Sequence, residues 1–174
     1  MKPLTHFQTP LETADLLLKA TSDDDFEGLY AIGSDPEVWA LHSDTDRYTK
    51  EKFEVYFLGG LNNSLGAYTL VYKPTQTIAG FTRYYDYDEE SSSVKIGYTF
   101  LAKTFWGTGL NQALKARMIA HAFEFCDQVI FEVYEFNLRS QRAVLKLGAI
   151  EIAPKGDRKC FSIHRNHSFT SLAE

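Results

Sequence analysis

"TFWGTGLNQALKARMIAHAFE", Thr104 to Glu124, passes from a glycine-spaced turn into an amphipathic helix. Gly107 and Gly109 stand two apart, just ahead of the helical repeat. Glycine carries no side chain to block close approach, and the first N–H groups of a helix lack internal partners at the positive end of its dipole. The turn therefore reads as a cradle for a phosphate-like anion, or as a plain helix-capping turn. A P-loop is excluded, because Leu110 and Asn111 follow Gly109 where Lys and Ser or Thr are required. A dinucleotide fingerprint needs a third glycine where Gln112 stands, and a βαβ setting. Glu132 does lie about where a ribose-binding acid would be expected, so a nucleotide ligand stays open at this point.

Upstream of the turn, residues 67–101 are rich in Thr, Tyr, Phe, Val and Ile and are punctuated by "KPTQ" and "DEESSS". They read as three successive antiparallel strands at 67–73, 77–87 and 93–101. Further upstream, 14–20 reads as a buried strand. Ser22 and Asp23 are N-cap candidates for a helix that Gly33 breaks, Pro36 opens a second, and "TKEKFEVYFLGGLNN" forms a third with Phe53, Tyr56 and Phe57 on one face. In the helix after the turn, Leu110, Leu114, Met118 and Phe123 fall on one stripe, with Lys115 and Arg117 off it. Downstream come the strand "QVIFEVYEF", the helix "NLRSQRAVLKLGA" closed by Gly148, and the strands "AIEIA" and "KCFSIHR". This order predicts a mixed α/β domain.

The totals agree with a single unit spanning 1–174. The chain has 174 residues, 44% of them hydrophobic, enough for a sizeable core. The formal charge of -5 argues against a nucleic-acid surface. Cys126 and Cys160 are far apart and in no metal or redox spacing, so they read as reduced core thiols. No metal site is expected, and His164 and His167 lack matching ligands. The first twenty residues lack the apolar run of a signal peptide, and no stretch is long enough to span a bilayer. The expectation is a cytoplasmic protein without nucleic-acid or membrane partners.

"N-x-x-S-x-R-A-x-x-K-L-G-A", Asn137 to Ala149, is bland alone, since Asn and Ser there serve as helix caps. Together with "VKIGYTFLA", "WGTGLN" and "VIFEV" at this spacing, it resembles the GNAT superfamily of N-acyltransferases, in its RimJ/RimL-like branch. The match in motifs runs from about Val94 to Ala149. The resemblance implies a mixed, mostly antiparallel central sheet with flanking helices and two parallel strands that splay apart. It implies acetyl-CoA as cosubstrate, with its pyrophosphate on the amides of Trp106, Gly107, Thr108, Gly109, Leu110 and Asn111. The pantetheine would pair with the strand edge near Phe100 and Leu101, with Asn137 and Ser140 close to the thioester arm.

The implied chemistry is acetyl transfer to a primary amine, on a protein N-terminus or a small molecule. A backbone amide around Leu101 would stabilise the oxyanion, and Ser140 or a water would protonate the thiolate. The family's frequent Tyr acid falls at Val144, its Gln or Arg before the turn is Thr104, and the branch's Glu before "IGY" is Lys95. Candidate bases are Glu132, Glu135, Tyr134, His42 and Asp86. The acceptor pocket would draw on Trp39, His42, Tyr85 and Tyr134, and acids such as Asp44 and Asp46 would suit a cationic amine. Family members are often dimers, which points to a homodimer as one arrangement. The departures leave a second reading, a non-catalytic acyl-CoA-binding sensor or scaffold.

Overall fold

The computed structural model describes residues 4–166. In chain order it contains β1 (Leu11–Glu12), β2 (Leu16–Ala20), α1 (Phe26–Gly33), α2 (Pro36–Trp39), α3 (Lys50–Leu61), β3 (Tyr68–Tyr72), β4 (Thr77–Asp88), β5 (Ser93–Leu101), α4 (Leu110–Ala122), β6 (Gln128–Tyr134), α5 (Leu138–Lys146), β7 (Ile150–Lys155) and β8 (Arg158–His164). Short 3-10 turns occupy Leu4–Gln8, Asp23–Asp25 and Lys103–Phe105. The three-strand meander, the helix after the glycine turn and the final hairpin match the sequence expectation. The first strand begins at Leu16 rather than Ala14, because Thr13 turns the chain: its N–H donates to the Leu16 carbonyl and its Oγ1 accepts from the Leu16 amide. That turn creates the unanticipated hairpin partner β1.

All eight strands form one sheet in the order β1-β2-β3-β4-β5-β6-β8-β7. Every pairing is antiparallel except β5 with β6. Parallel neighbours need a crossover, and α4 supplies it. One face packs Leu16, Leu70, Tyr84 and Phe161 against Leu114 and Met118 of α4. The other packs Phe81 and Phe100 against Leu29, Trp39, Phe53 and Phe57 of α1–α3. Near the N-terminal end Asp25 is buried, and it is compensated by Lys19 at 2.6 Å, the Ser22 amide and the Thr69 hydroxyl. These partners hold its carboxyl below the ordinary range even though burial, the largest influence, pushes it up.

β5 and β6 pair only at Ser93↔Gln128, Val94↔Val129 and Lys95↔Ile130, and then separate. From Ile96 onward the edge of β5 that faces β6 has no strand partner. β5 also carries a bulge. Between the pairs Arg83↔Gly97 and Phe81↔Phe100, β4 advances two residues while β5 advances three, and Tyr98 takes a left-handed φ of 50°. An extra residue sharpens local twist and bends the strand away from its neighbour. The fork between β5 and β6 is the feature around which the site forms.

Candidate active site

A cavity of 820 Å³ fills the fork. Its walls come from β5 and β6, the turn before α4, the first two turns of α4, one face of α5, and the segment after α2. Gly107 (φ 74°) and Gly109 (φ 86°) both adopt left-handed backbone, and a Cβ at either would meet nothing within 4 Å. The open space above the turn suits a ligand group rather than a packed neighbour. Gly109 is the N-cap of α4 and has no side chain to cap the helix. The Trp106 indole N–H donates to the Leu101 carbonyl at 3.0 Å, which holds the turn against the end of β5.

Of the residues expected at the cofactor, Phe100, Leu101, Trp106, Gly107, Gly109, Asn111, Asn137 and Ser140 line this one cavity. Thr108 and Leu110 lie in the turn but outside the lining. The Thr108 hydroxyl donates to the Phe105 carbonyl, and Leu110 is buried in the core. Asn137 is buried and caps α5, its Oδ1 accepting from the Ser140 amide at 3.1 Å. The capping role read from the sequence is therefore real, and it also fixes Ser140 at the cavity wall.

His42, Tyr85 and Tyr134 line the cavity, but Trp39 does not. Trp39 is fully buried, with its indole N–H donating to the Gly33 carbonyl at 2.7 Å and its ring against Tyr56, Phe53 and Phe100. The aromatic faces of α2 and α3 claim it for the core, which corrects the expectation of substrate contact. Burial, reinforced by Arg47, Arg139 and Arg158, draws the His42 imidazole down to about 4. Burial, then Glu132, pushes the Tyr85 phenol up.

The acids expected to greet a cationic amine are already engaged. Asp44 pairs with Arg47 and Asp46 with Lys52. Glu132 lines the cavity and is held by Lys95 at 2.7 Å and Lys155 at 3.6 Å. Asp86 also binds Lys95, at 2.9 Å, and Glu135 is exposed outside the lining.

The sequence reading missed two groups of cations. Arg139, Arg142 and Lys146 line the cavity from α5. Their spacing of three and four is one helix face, a signal present in the sequence. The Arg139 guanidinium lies 4.1 Å over the Trp106 ring, bridging α5 to the glycine turn. The second is Lys115, expected off the buried stripe of α4 but in fact buried and facing the cavity. Asn111, one turn earlier, points a buried Oδ1 with no hydrogen-bond partner.

The arrangement thus offers an anion-accepting turn, a cationic helix face, and a free strand edge between them. It fits an extended ligand with phosphates at one end and peptide-like groups further in. Among the described residues no cluster of His, Cys, Asp or Glu could hold a metal, and no helix is long and apolar enough to cross a membrane. Cys126 and Cys160 are buried free thiols, as expected; His167 lies outside the described residues.

Residues 15–150 match the family model described as acetyltransferase (GNAT) domain. Among solved structures, a GCN5-related N-acetyltransferase from Brucella melitensis superposes with a TM-score of 0.79 at 14% identity, over 90% of this chain and 79% of that one. A GNAT-family acetyltransferase from Bacillus anthracis gives 0.74 at 15% identity, over 90% and 98%. A spermidine N-acetyltransferase from Vibrio cholerae, solved with CoA and spermine, gives 0.70 at 13% identity, over 87% and 96%. A comparison with curated protein sequences returns no match. The architecture is the GNAT fold.

Proposed function

The chain belongs to the GNAT acetyltransferase family, and from that premise we propose that it moves the acetyl group of acetyl-CoA directly to a primary amine, in the manner of the RimJ/RimL-like branch. The amine is a protein N-terminus or a small molecule. The observation that carries this reading is the fork itself: the β5 edge that β6 leaves unpaired carries the bulge at Tyr98, ends at Leu101 and leads through the short turn Lys103–Phe105 to the glycine-lined start of α4. Bound there, acetyl-CoA supplies the activated acetyl group as a thioester.

Each residue then has a task. The turn from Trp106 to Asn111 holds the pyrophosphate through backbone amides. Arg139, Arg142 and Lys146 complement the remaining phosphate charge. The edge at Phe100 and Leu101 aligns the pantetheine, and a backbone amide near Leu101 faces the developing oxyanion. Ser140, fixed by the Asn137 cap, donates toward the leaving thiolate. Glu132, paired with Lys95 and Lys155, receives the proton of the acceptor amine through water. His42, Tyr85 and Tyr134 border the acceptor. Residues 1–174 act as one domain in this scheme.

The test is a calorimetric titration with acetyl-CoA beside NAD and ATP, followed by an acetylation screen of amines and peptide N-termini. Selective micromolar acetyl-CoA binding with turnover of at least one amine is expected. A preference for NAD or ATP would overturn the site, and binding without any acetylation would leave an acyl-CoA sensor instead.

A further inference from the structure

Lys115 sits in the second turn of α4 and is 7% exposed. Its Nζ donates to Thr99 Oγ1 at 2.5 Å and lies 6.0 Å from the Phe131 ring. No carboxylate pairs with it among the described residues, and burial alone draws the amine down to about 7. A leucine would serve the core at less cost, since an unpaired buried amine is expensive to desolvate. Packing therefore does not account for it. Nothing about the turn or the cap requires it either, and one turn earlier on α4 the buried Oδ1 of Asn111 has no hydrogen-bond partner.

The amine has a defined neighbourhood. Thr99 belongs to the stretch of β5 that β6 leaves unpaired. Its hydroxyl is already shared with Thr82 Oγ1 at 2.8 Å, which fixes where Nζ can sit. Strand residues advance about 3.3 Å each, so Thr99 and Leu101 lie about 7 Å apart along the edge proposed for the thioester arm. To reach along that span Nζ must release the Thr99 hydroxyl, a movement that a lysine's flexible four-carbon stem permits. A primary amine drawn by burial toward its uncharged form thus stands inside the cleft that receives an acetyl donor.

We propose that Lys115 is itself an acetyl acceptor, modified from acetyl-CoA bound in its own cleft when no other amine is present. The inference rests on the acetyl-CoA reading of that cleft. The Nζ lone pair attacks the thioester carbonyl carbon and a C–N bond forms. The C–S bond breaks, and sulfur leaves with the bonding pair. The proton lost from nitrogen goes to the thiolate, giving N-acetyl-Lys115 and free CoA. No oxidant or further reactant is needed. The amide is stable, so the product is a lasting mark and not an intermediate on the way to another amine.

The experiment incubates the full chain with acetyl-CoA at pH 7 without an acceptor, with intact-mass and peptide-mapping readouts. Calorimetry on the same sample establishes binding. An amine at about 7 is half uncharged there, against roughly one part in 3,000 for an ordinary lysine. Acetylation of Lys115 is therefore expected at least tenfold faster than of exposed Lys50, Lys52 or Lys155. Thermally unfolded chain should lose that preference, and Lys115→Arg should remove the modified peptide. The unfolded-chain comparison stands even if the variant fails to fold. Acetyl-CoA binding with Lys115 left unmodified, or modified no faster than the surface lysines, would overturn this inference and leave the proposed function standing. No acetyl-CoA binding at all would overturn both.

Discussion

Lys95 Nζ lies 2.7 Å from Glu132 Oε1, across the point where β5 and β6 part. Lys95 follows the parallel register to its last pair with Ile130, and Glu132 stands two residues beyond. Both side chains are mostly buried, at 15% and 17% exposure. Asp86 of β4 binds the same ammonium at 2.9 Å, so three strands are tied at the root of the fork. Burial alone would lower the lysine, but the two carboxylates raise it above its ordinary value. Lys95→Met should therefore cost about 1–3 kcal/mol, because it leaves a largely buried carboxylate with only the more distant, exposed Lys155. In urea unfolding, Lys95→Met/Glu132→Met should lose at least ~1 kcal/mol less than the sum of the single variants. Strict additivity would show that the pair does not couple.

The glycine turn separates strain from occlusion. At φ 86° any side chain on Gly109 is strained, yet the space beyond is empty. Gly109→Ala should cost roughly 1 kcal/mol of stability and leave acetyl-CoA affinity within a few fold. Gly109→Trp carries similar strain but fills the cradle, and should abolish binding by calorimetry. Equal affinities in the two variants would place the pyrophosphate elsewhere.

The cations of α5 make a prediction about salt. Arg142→Ala/Lys146→Ala should weaken acetyl-CoA binding about tenfold or more, the size of one or two charge-assisted contacts. The salt dependence of the dissociation constant should flatten with it. Repeating the titration with the acetyl thioester of dephospho-CoA shows which phosphate is involved. A loss that disappears with this ligand assigns the pair to the 3′-phosphate, and an undiminished loss assigns it to the pyrophosphate.

Ser140 and Glu132 are separable by kinetics. Glu132→Gln should reduce kcat about 10²-fold with little change in acetyl-CoA affinity, as for loss of a proton acceptor. Ser140→Ala should lower kcat less, by about tenfold, and its effect should vanish in single-turnover assays with a thioester of better leaving ability. Unchanged turnover in either variant would remove that residue from the mechanism.

His42 predicts an acid slope in stability. Burial, then the three neighbouring guanidinium groups, lowers its value from 6.5 to about 4. Between those values the unfolded chain binds the proton and the folded chain does not, so stability falls as pH drops from 6.5 to 4. The loss is at most about 3.5 kcal/mol. His42→Gln should flatten this part of the urea-midpoint profile; an unaltered slope would mean that other groups carry it.

Local pattern and tertiary placement divided the information in this chain. The elements were legible because each depends on near neighbours: β-branched runs for the meander, Gly107 and Gly109 for the turn, the Asn137 cap for α5. The fork was legible only through the family resemblance, since no local signal says where two parallel strands stop pairing. Lys115 falls off the apolar stripe of α4 in the sequence, but a helix repeat gives the angle of a residue and not what lies beyond it. The bulged, unpaired length of β5 turned that angle into the wall of a cavity. Trp39 went the other way, drawn into the α1–α3 aromatic core by rings from distant segments. The sequence determined which backbone groups could bind an anion. The packing of sheet against helix decided which charged side chains share their cleft, because facing is settled by contacts between residues far apart in the chain.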